Sequence, residues 1–417
     1  MKSNYKKLGR FIREVSVKNK NLNVELLLGV SITKRFIPSI ANTIGTDMSK
    51  YKIVKRGQFA YGPVTSRNGE KISIALLTED KCLVSTSYTV FEIVDTELLD
   101  PEYLMMWFRR SEFDRYARYM SHGTVRELFG WNEICNIELP IPSIQTQREI
   151  VSEYNVVNDR ILLNKYSIQE LEDVASTVYK QWFVDFDFPI TKEYAEFISE
   201  PELEGKPYKS SGGEMKYCDE LDKYIPQNWD LITLADCTSY LSRGIAPRYT
   251  ELNGCLVLNQ KCIRNSSINF DFARRHDFNT KKITEERYLK VHDVVVNSTG
   301  QGTLGRVGIV KYLPERTVVD THITILRPND KLNHHYFWFS ISGRESEIEN
   351  LAEGTTGQTE LKREYLFDFK IVKPNKGVQD LFGELMAPVI SKIEVIEKEL
   401  PLLMGLKEIC LQRLSKV

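Results

Sequence analysis

IVSEYNVVNDRILLNKYSIQELEDVASTVYKQW (150–182) decides the architecture. Its apolar positions, Ile150, Tyr154, Val157, Ile161, Ile168, Leu171, Ala175, Val178 and Trp182, fall in alternating steps of four and three around Asn164. That spacing keeps one stripe on one side of a helix for more than four heptads, the signature of a coiled-coil seam. A lone polar residue in such a seam, here Asn164, fixes register at some cost in stability. Shifted by 232, the stripe returns as Phe382, Met386, Val389, Ile393, Ile396, Leu400, Leu403, Lys407, Cys410 and Leu414, with Lys407 its only charge. Two stripes of equal spacing in one chain predict helices that pair with each other. Pro388, Pro401 and Gly405 predict a bend or interruption in the second.

The repeat extends upstream of each helix. DPEYLMMWFRRSEF (100–113) and HGTVRELFGWNEICNIELPIPS (122–143) answer to NHHYFWFSISGRES (333–346) and EGTTGQTELKREYLFDFKIVKPN (353–375). Tyr103 pairs with Tyr336, Gly123-Thr124 with Gly354-Thr355 and Pro142 with Pro374, while VSTSYTVFEI (84–93) matches VDTHITILRP (319–328), all at offsets between 231 and 235. The expected plan is α+β. Two mixed α/β units (1–142 and 229–375) are separated by two long antiparallel helices (143–184 and 376–417) with an internal pseudo-two-fold, and 185–228 reads as a linker opening the second half.

The composition is ordinary and globular. There are 56 Lys+Arg against 57 Asp+Glu, which excludes a uniformly basic nucleic-acid coat but allows local patches. No apolar run approaches the roughly 18 residues of a membrane span. The basic MKSNYKKLGRFIREV has no apolar stretch behind it, so no signal peptide is expected. The seven cysteines form no CxxC, which fits a reducing cytoplasm without a zinc or disulfide framework.

Chemistry-bearing motifs are scarce. GQGTLG (300–305) spells a dinucleotide fingerprint, but the strand-like RVGIVKY follows it where a helix N-terminus should receive the pyrophosphate, so a Gly-rich hairpin is expected. There is no P-loop, no HExxH and no [DN]PP[YF] base-holding tetrapeptide. His334-His335 reads as a surface helix start, and no catalytic, cofactor or metal residues are assigned.

Basic residues do cluster, nine in 1–35 and eight in 261–290, and basic segments supply phosphate contacts. Together with polar loops able to read base edges, they give the candidate DNA-binding set. In the first half this is Lys34, Arg35, Ser66, Arg67, Asn68, Thr124 and Arg126. In the second it is Arg243, Arg248, Asn297, Ser298, Thr299, Arg306, Thr355, Thr356 and Gln358.

Several stretches resemble the specificity subunit of type I restriction-modification systems. They are LPIPSIQTQREIVSEYNVVNDRI (139–161), YKQWFVDFDFP (179–189), GGEMKYCDELDKYIPQNWDLITLADC (212–237), HDVVVNSTGQGTLGRVGIV (292–310) and DTHITILRP (320–328). They span essentially the whole chain in the family's order. The start of the second helix, VKPNKGVQDLFGELM, departs by lacking the Gln147-Arg148 pair of the first. The resemblance implies a non-catalytic subunit that reads an asymmetric, split target on double-stranded DNA. The seam of the first helix, roughly 50 Å long at 1.5 Å per residue, would set the spacer. It also implies docking of two methyltransferase subunits and of restriction subunits on the helices, including the aromatic exit Trp182-Phe183. S-adenosylmethionine, ATP and Mg would be held only by those partners, in the cytoplasm and without a membrane. The alternative is a stand-alone coiled-coil DNA-binding regulator that dimerises through the stripes.

Overall fold

The computed structural model describes residues 4–39, 45–66, 68–121, 127–251, 253–278, 282–352 and 360–416. The chain forms two compact units. Met1–Lys165 joins Glu399–Val417 in the first, and Tyr166–Lys398 makes the second. Each long helix, Ile144–Phe183 and Lys376–Arg413, therefore contributes one half to each unit.

In the first unit the two helix segments run antiparallel. Glu153 meets Arg413, Asn158 accepts from Lys407 Nζ at 2.7 Å, and Glu399 accepts from Arg160 Nε at 3.1 Å and Asn164 Nδ2 at 2.8 Å. Asn164 is buried and thus satisfied by a charged partner, as expected of a residue that fixes register. In the second unit Trp182 and Phe183 pack on Phe382, and Lys311 bridges Glu172 of one helix and Glu397 of the other at 3.1 and 2.9 Å. Every residue of both predicted stripes is at least partly buried, including Ile150, Ile168, Leu171, Val389 and Leu403 at the margins. The second helix is not interrupted. Pro388 and Pro401 lie on its exposed face, four residues after Glu384 and Glu397. Each proline forgoes one backbone hydrogen bond, to the carbonyl four residues before it, and the helix runs on through both.

Each unit carries an antiparallel sheet of the same topology. In the first the order is Ile12–Val15, Thr89–Ile93, Phe59–Tyr61, Ile74–Leu76; in the second it is Thr238–Arg243, Ile323–Pro328, Val294–Asn297, Val307–Ile309. The register is also the same. Val90 faces Ala60 and Phe91 faces Phe59, and 235 residues on Ile325 faces Val295 and Leu326 faces Val294. Each sheet is covered by a short helix, Pro101–Arg109 and His334–Ser342, capped by Asp100 and Asn333. Tyr103 and Tyr336 both donate from the helix to a backbone carbonyl, of Pro140 and Val372.

A buried glutamine locks each helix start. Gln147 accepts from Asp100 N at 2.9 Å and donates to Pro142 O at 2.9 Å. Gln379 accepts from Asn333 N at 2.9 Å and donates to Pro374 O at 2.7 Å. The Gln-Arg pair missing from the second start is thus missing only its arginine, since Gln379 makes the same two bonds from a different sequence neighbourhood.

Two sequence expectations are corrected. Residues 185–228 are not a linker. Phe186, Phe188, Ile190, Tyr208 and Ile225 belong to the main core of the second unit, and Phe188 stacks between Tyr208 and Trp229. His334-His335 is not a surface pair. His335 is buried, and His334 lies against His292 with ring centroids 3.8 Å apart. Burial holds both imidazoles down at about 4, with neighbouring histidines adding to the effect.

Lys407, the one charge in the second stripe, sits over the Tyr154 ring, 5.3 Å from its centroid. Partial burial, then the positive charges of Arg109, Arg35 and Lys165, lower its ammonium from 10.5 to about 8.

Two outcomes follow from these contacts. Gln379→Leu strands the Asn333 N–H and the Pro374 carbonyl in the interior, at a cost of about 2–4 kcal/mol in urea unfolding; a loss under about 0.5 kcal/mol would show that the lock does not matter. For Lys407, the unfolded chain binds more protons than the folded chain between pH 8 and 10.5, so its contribution to stability rises with pH across that window. Lys407→Met should raise the melting temperature at pH 7 and flatten that rise; an unchanged pH profile would contradict the assignment.

Candidate nucleic-acid interface

The repeat builds one local device twice. In the first unit Thr65 donates from its backbone N to Glu127 O at 3.0 Å and from its hydroxyl to the same oxygen at 2.7 Å, beside an antiparallel bridge between Val64 and Leu128. In the second unit Thr299 bridges Glu360, and Leu361 N donates to Ser298 O at 2.9 Å. The offset from Thr65 to Thr299 is within the range of the repeat. Each glutamate is held by an arginine of its own unit, Glu127 by Arg118 and Glu360 by Arg243. A polar loop at the end of the sheet is thereby pinned to the strand-like segment that follows 122–126 or 353–359.

The candidate side chains divide by environment. Ser66 is exposed on the first loop, and Asn68 is half-buried, folding back onto Val64 O. Arg35 and Arg248 are exposed and make no ion pair among the described residues. The Arg248 backbone N donates to His276 Nδ1 at 2.9 Å, which anchors the segment that carries its guanidinium. Thr299 is half-buried, with its hydroxyl 2.6 Å from His322 Nδ1. Arg306 donates to Gly302 O at 2.7 Å and Arg243 to Leu361 O at 2.7 Å, so both act first as loop braces. Arg67, Thr124, Arg126, Thr355, Thr356 and Gln358 lie outside the described residues.

Three candidates are inside the protein. Lys34 is buried; its ammonium donates to Asp114 Oδ1 at 2.5 Å and to Ile72 O at 2.7 Å, and burial lowers its pKa. A charge fully engaged in the interior cannot also neutralise a phosphate. Asn297 is fully buried and donates to Gln260 O and Thr303 O, and Ser298 shares a hydrogen bond with Thr324 Oγ1. These two hold the Gly-rich loop rather than present it. That loop joins the antiparallel strands Val294–Asn297 and Val307–Ile309, with Gly300, Gly302 and Gly305 all at positive φ. At Gly305 an added Cβ would meet Glu345 O at 2.9 Å. The expected hairpin is what forms, and no helix N-terminus is available for a pyrophosphate.

The seam residues are likewise consumed. Tyr154, Val157, Ile161, Ile393 and Ile396 are buried within their own units. Trp182 and Phe183 lie in the second unit's core against Trp229, Tyr336 and Phe382, so that aromatic exit is not a docking surface. What the helices leave exposed is a different apolar set: Val156, Leu163, Leu402, Leu406 and Ile409 in the first unit, and Val174, Leu381, Leu385 and Val395 in the second. Reading the stripes picked out the inward face; the interrupting apolar residues between stripe positions carried the signal for the outward one.

Sequence reasoning also missed Arg274, whose guanidinium stacks 3.4 Å from the Tyr249 ring centroid, and Arg316 over Tyr288 at 3.9 Å. The basic count in 261–290 contains Arg274, but its aromatic partner is 25 residues away in sequence. Among the described residues no group of three His, Cys, Asp or Glu side chains is placed to hold a metal, and no helix is long and apolar enough to cross a membrane.

Comparison with known proteins agrees with this arrangement. Residues 250–403 match the type I restriction modification DNA specificity domain. The chain is 25% identical over 343 residues to the type I restriction enzyme MjaIX specificity subunit of Methanocaldococcus jannaschii, spanning 79% of this chain and 72% of the relative. It is 22% identical over 389 residues to the HindI specificity subunit of Haemophilus influenzae, spanning 82% of each. Its fold is that of the crystallised type I restriction-modification S subunit from M. genitalium, with a TM-score of 0.56 at 12% identity over 99% of this chain and 95% of that one. The match over residues 250–403 and the two relatives thus make the chain similar to type I restriction enzyme specificity subunits.

Proposed function

We propose that this chain is the DNA-reading subunit of a type I restriction-modification complex and that it reads an asymmetric, bipartite target. The observation that carries the reading is the duplicated loop device: one backbone scaffold, in the same strand register, bearing different side chains in its two copies. Ser66 and Asn68 mark the first loop, and Thr299 with His322 the second. Two unlike readers on one scaffold match two unlike half-sites. Exposed Arg35 and Arg248 supply phosphate contacts that position without reading sequence.

The chain is a recognition subunit, and the methyl transfer and cleavage belong to its partners. S-adenosylmethionine, ATP and Mg are assigned to those partners. Two methyltransferase subunits would dock on the outward apolar residues of the helices, Leu402 and Leu406 among them in the first unit and Val395 in the second, with restriction subunits joining that assembly. A stand-alone regulator that dimerises through the stripes is disfavoured, because within each unit the stripes are buried by the chain's own segments.

The test is a domain exchange read by methylation. Replacing residues 229–375 with the equivalent segment of a relative of different specificity, co-expressed with its methyltransferase in an unmodified host, should change one half of the methylated motif and leave the other intact. A change in both halves, or in neither, would overturn the two-reader assignment.

A further inference from the structure

The first unit contains a cleft of about 660 Å³ between its helix segments and the sheet-bearing part, lined by Arg35, Lys71, Arg109, Lys165 and Lys407. None of these five cations has a carboxylate within ion-pair distance among the described residues. Asp114 also lines the cleft, but Lys34 already occupies it. The remaining carboxylates there are Glu79 and Glu408, so the cleft carries net positive charge.

The internal repeat supplies a control within the same molecule. The second unit has the corresponding cleft, with Ser342 in place of Arg109, Ile393 in place of Ile161, Glu172 in place of Met404, Ala175 in place of Lys407 and Ser176 in place of Glu408. Its cation, Lys311, is neutralised twice, by Glu172 at 3.1 Å and by Glu397 at 2.9 Å. Glu397 stands 232 residues from Lys165. One copy of the cleft is thus closed electrostatically from within, while the other is left open with like charges converging. Like charges gathered in one cleft are unfavourable for the empty protein; they act on the Lys407 ammonium in addition to its burial, which is the larger cause of its lowered pKa.

We propose that the cleft of the first unit is a binding site for a phosphate-bearing ligand. Five donors that converge from the sheet side and from both helices suit an anion with several oxygens and more than one charge, and a single carboxylate would leave most of them unmet. The volume lies within the roughly 300–1,000 Å³ of ligand pockets, and apolar Ile161 and Leu411 line the same space. A nucleic-acid backbone and a free phosphorylated molecule present the same chemistry to the site. The site shares Arg35 with the phosphate contacts proposed above but contains no residue of the paired loop device, so it does not depend on how the two half-sites are read.

Calorimetric titration of the full chain with inorganic pyrophosphate tests this. Wild type should bind one equivalent. Lys165→Glu, which installs the carboxylate of the second cleft, and Arg109→Gln should each weaken binding by about tenfold, whereas Lys192→Glu, outside the cleft, should not. All three positions are exposed, so the fold is expected to survive, and circular dichroism melting checks it. Adding a non-specific duplex then distinguishes the sources: displacement of pyrophosphate assigns the site to a DNA backbone, and simultaneous binding assigns it to a free phosphate compound. Absence of saturable binding in wild type, or equal binding in the Lys165 and Arg109 variants, overturns the proposal.

Discussion

The structure depends on the antiparallel pairing of two helix segments inside each unit. An isolated helix of 38 or 40 residues with a one-sided apolar stripe has no reason to stay folded in water unless the stripe is covered. Here each stripe covers the other. The polar members of the seam prevent a slip: Asn164 reaches Glu399, Arg160 reaches the same carboxylate, and Lys407 reaches Asn158. A shift by one heptad would strand a buried amide and a half-buried ammonium without partners, which costs more than the apolar contacts alone could enforce.

From that pairing the rest follows by duplication. The buried glutamines, Gln147 and Gln379, join each helix start to the cap of a short helix, and that helix seals the sheet. The sheet then fixes where the polar loop emerges. Chemistry is free to diverge only where this chain of constraints ends, and there the copies do differ. Gln58 with Glu92 at one place in the first sheet becomes Asp293 with Arg327 in the second, a swap of a neutral-to-charged hydrogen bond for a buried ion pair at the same register. The two clefts beside the helices diverge in the same manner, one internally neutralised and one not.

Much of this was legible in the sequence because periodicity and self-similarity are backbone properties. The seam, the repeat offset and the hairpin at GQGTLG all rest on spacing, and spacing survives low identity. Side-chain environment was not legible. Lys34 sits in a basic run with Arg35, yet one is buried on Asp114 and the other is exposed; both lie in the turn between the paired strands Leu28–Val30 and Phe36–Pro38, and Lys34, at positive φ, reaches partners remote in sequence, Ile72 O and Asp114. Asn297 and Ser298 read as loop polars but serve the loop's interior. The stretch 185–228 read as a linker, whereas its aromatics are core; Phe186 and Phe188 are two apart and flank acidic Asp187, which accepts from Ser210 N. Gln379 was hidden by the loss of the neighbouring arginine.

On the reading proposed above, the length of the long helices sets the spacer of the split target. The most direct measurement inserts one helical turn into each helix at matched positions, after Lys165 and before Glu399, and maps methylated motifs genome-wide with the cognate methyltransferase present. One added turn lengthens each helix by about 5–6 Å, so the spacer should grow by about one to two base pairs while both half-sites keep their sequence. Methylation at the original spacing would contradict the account.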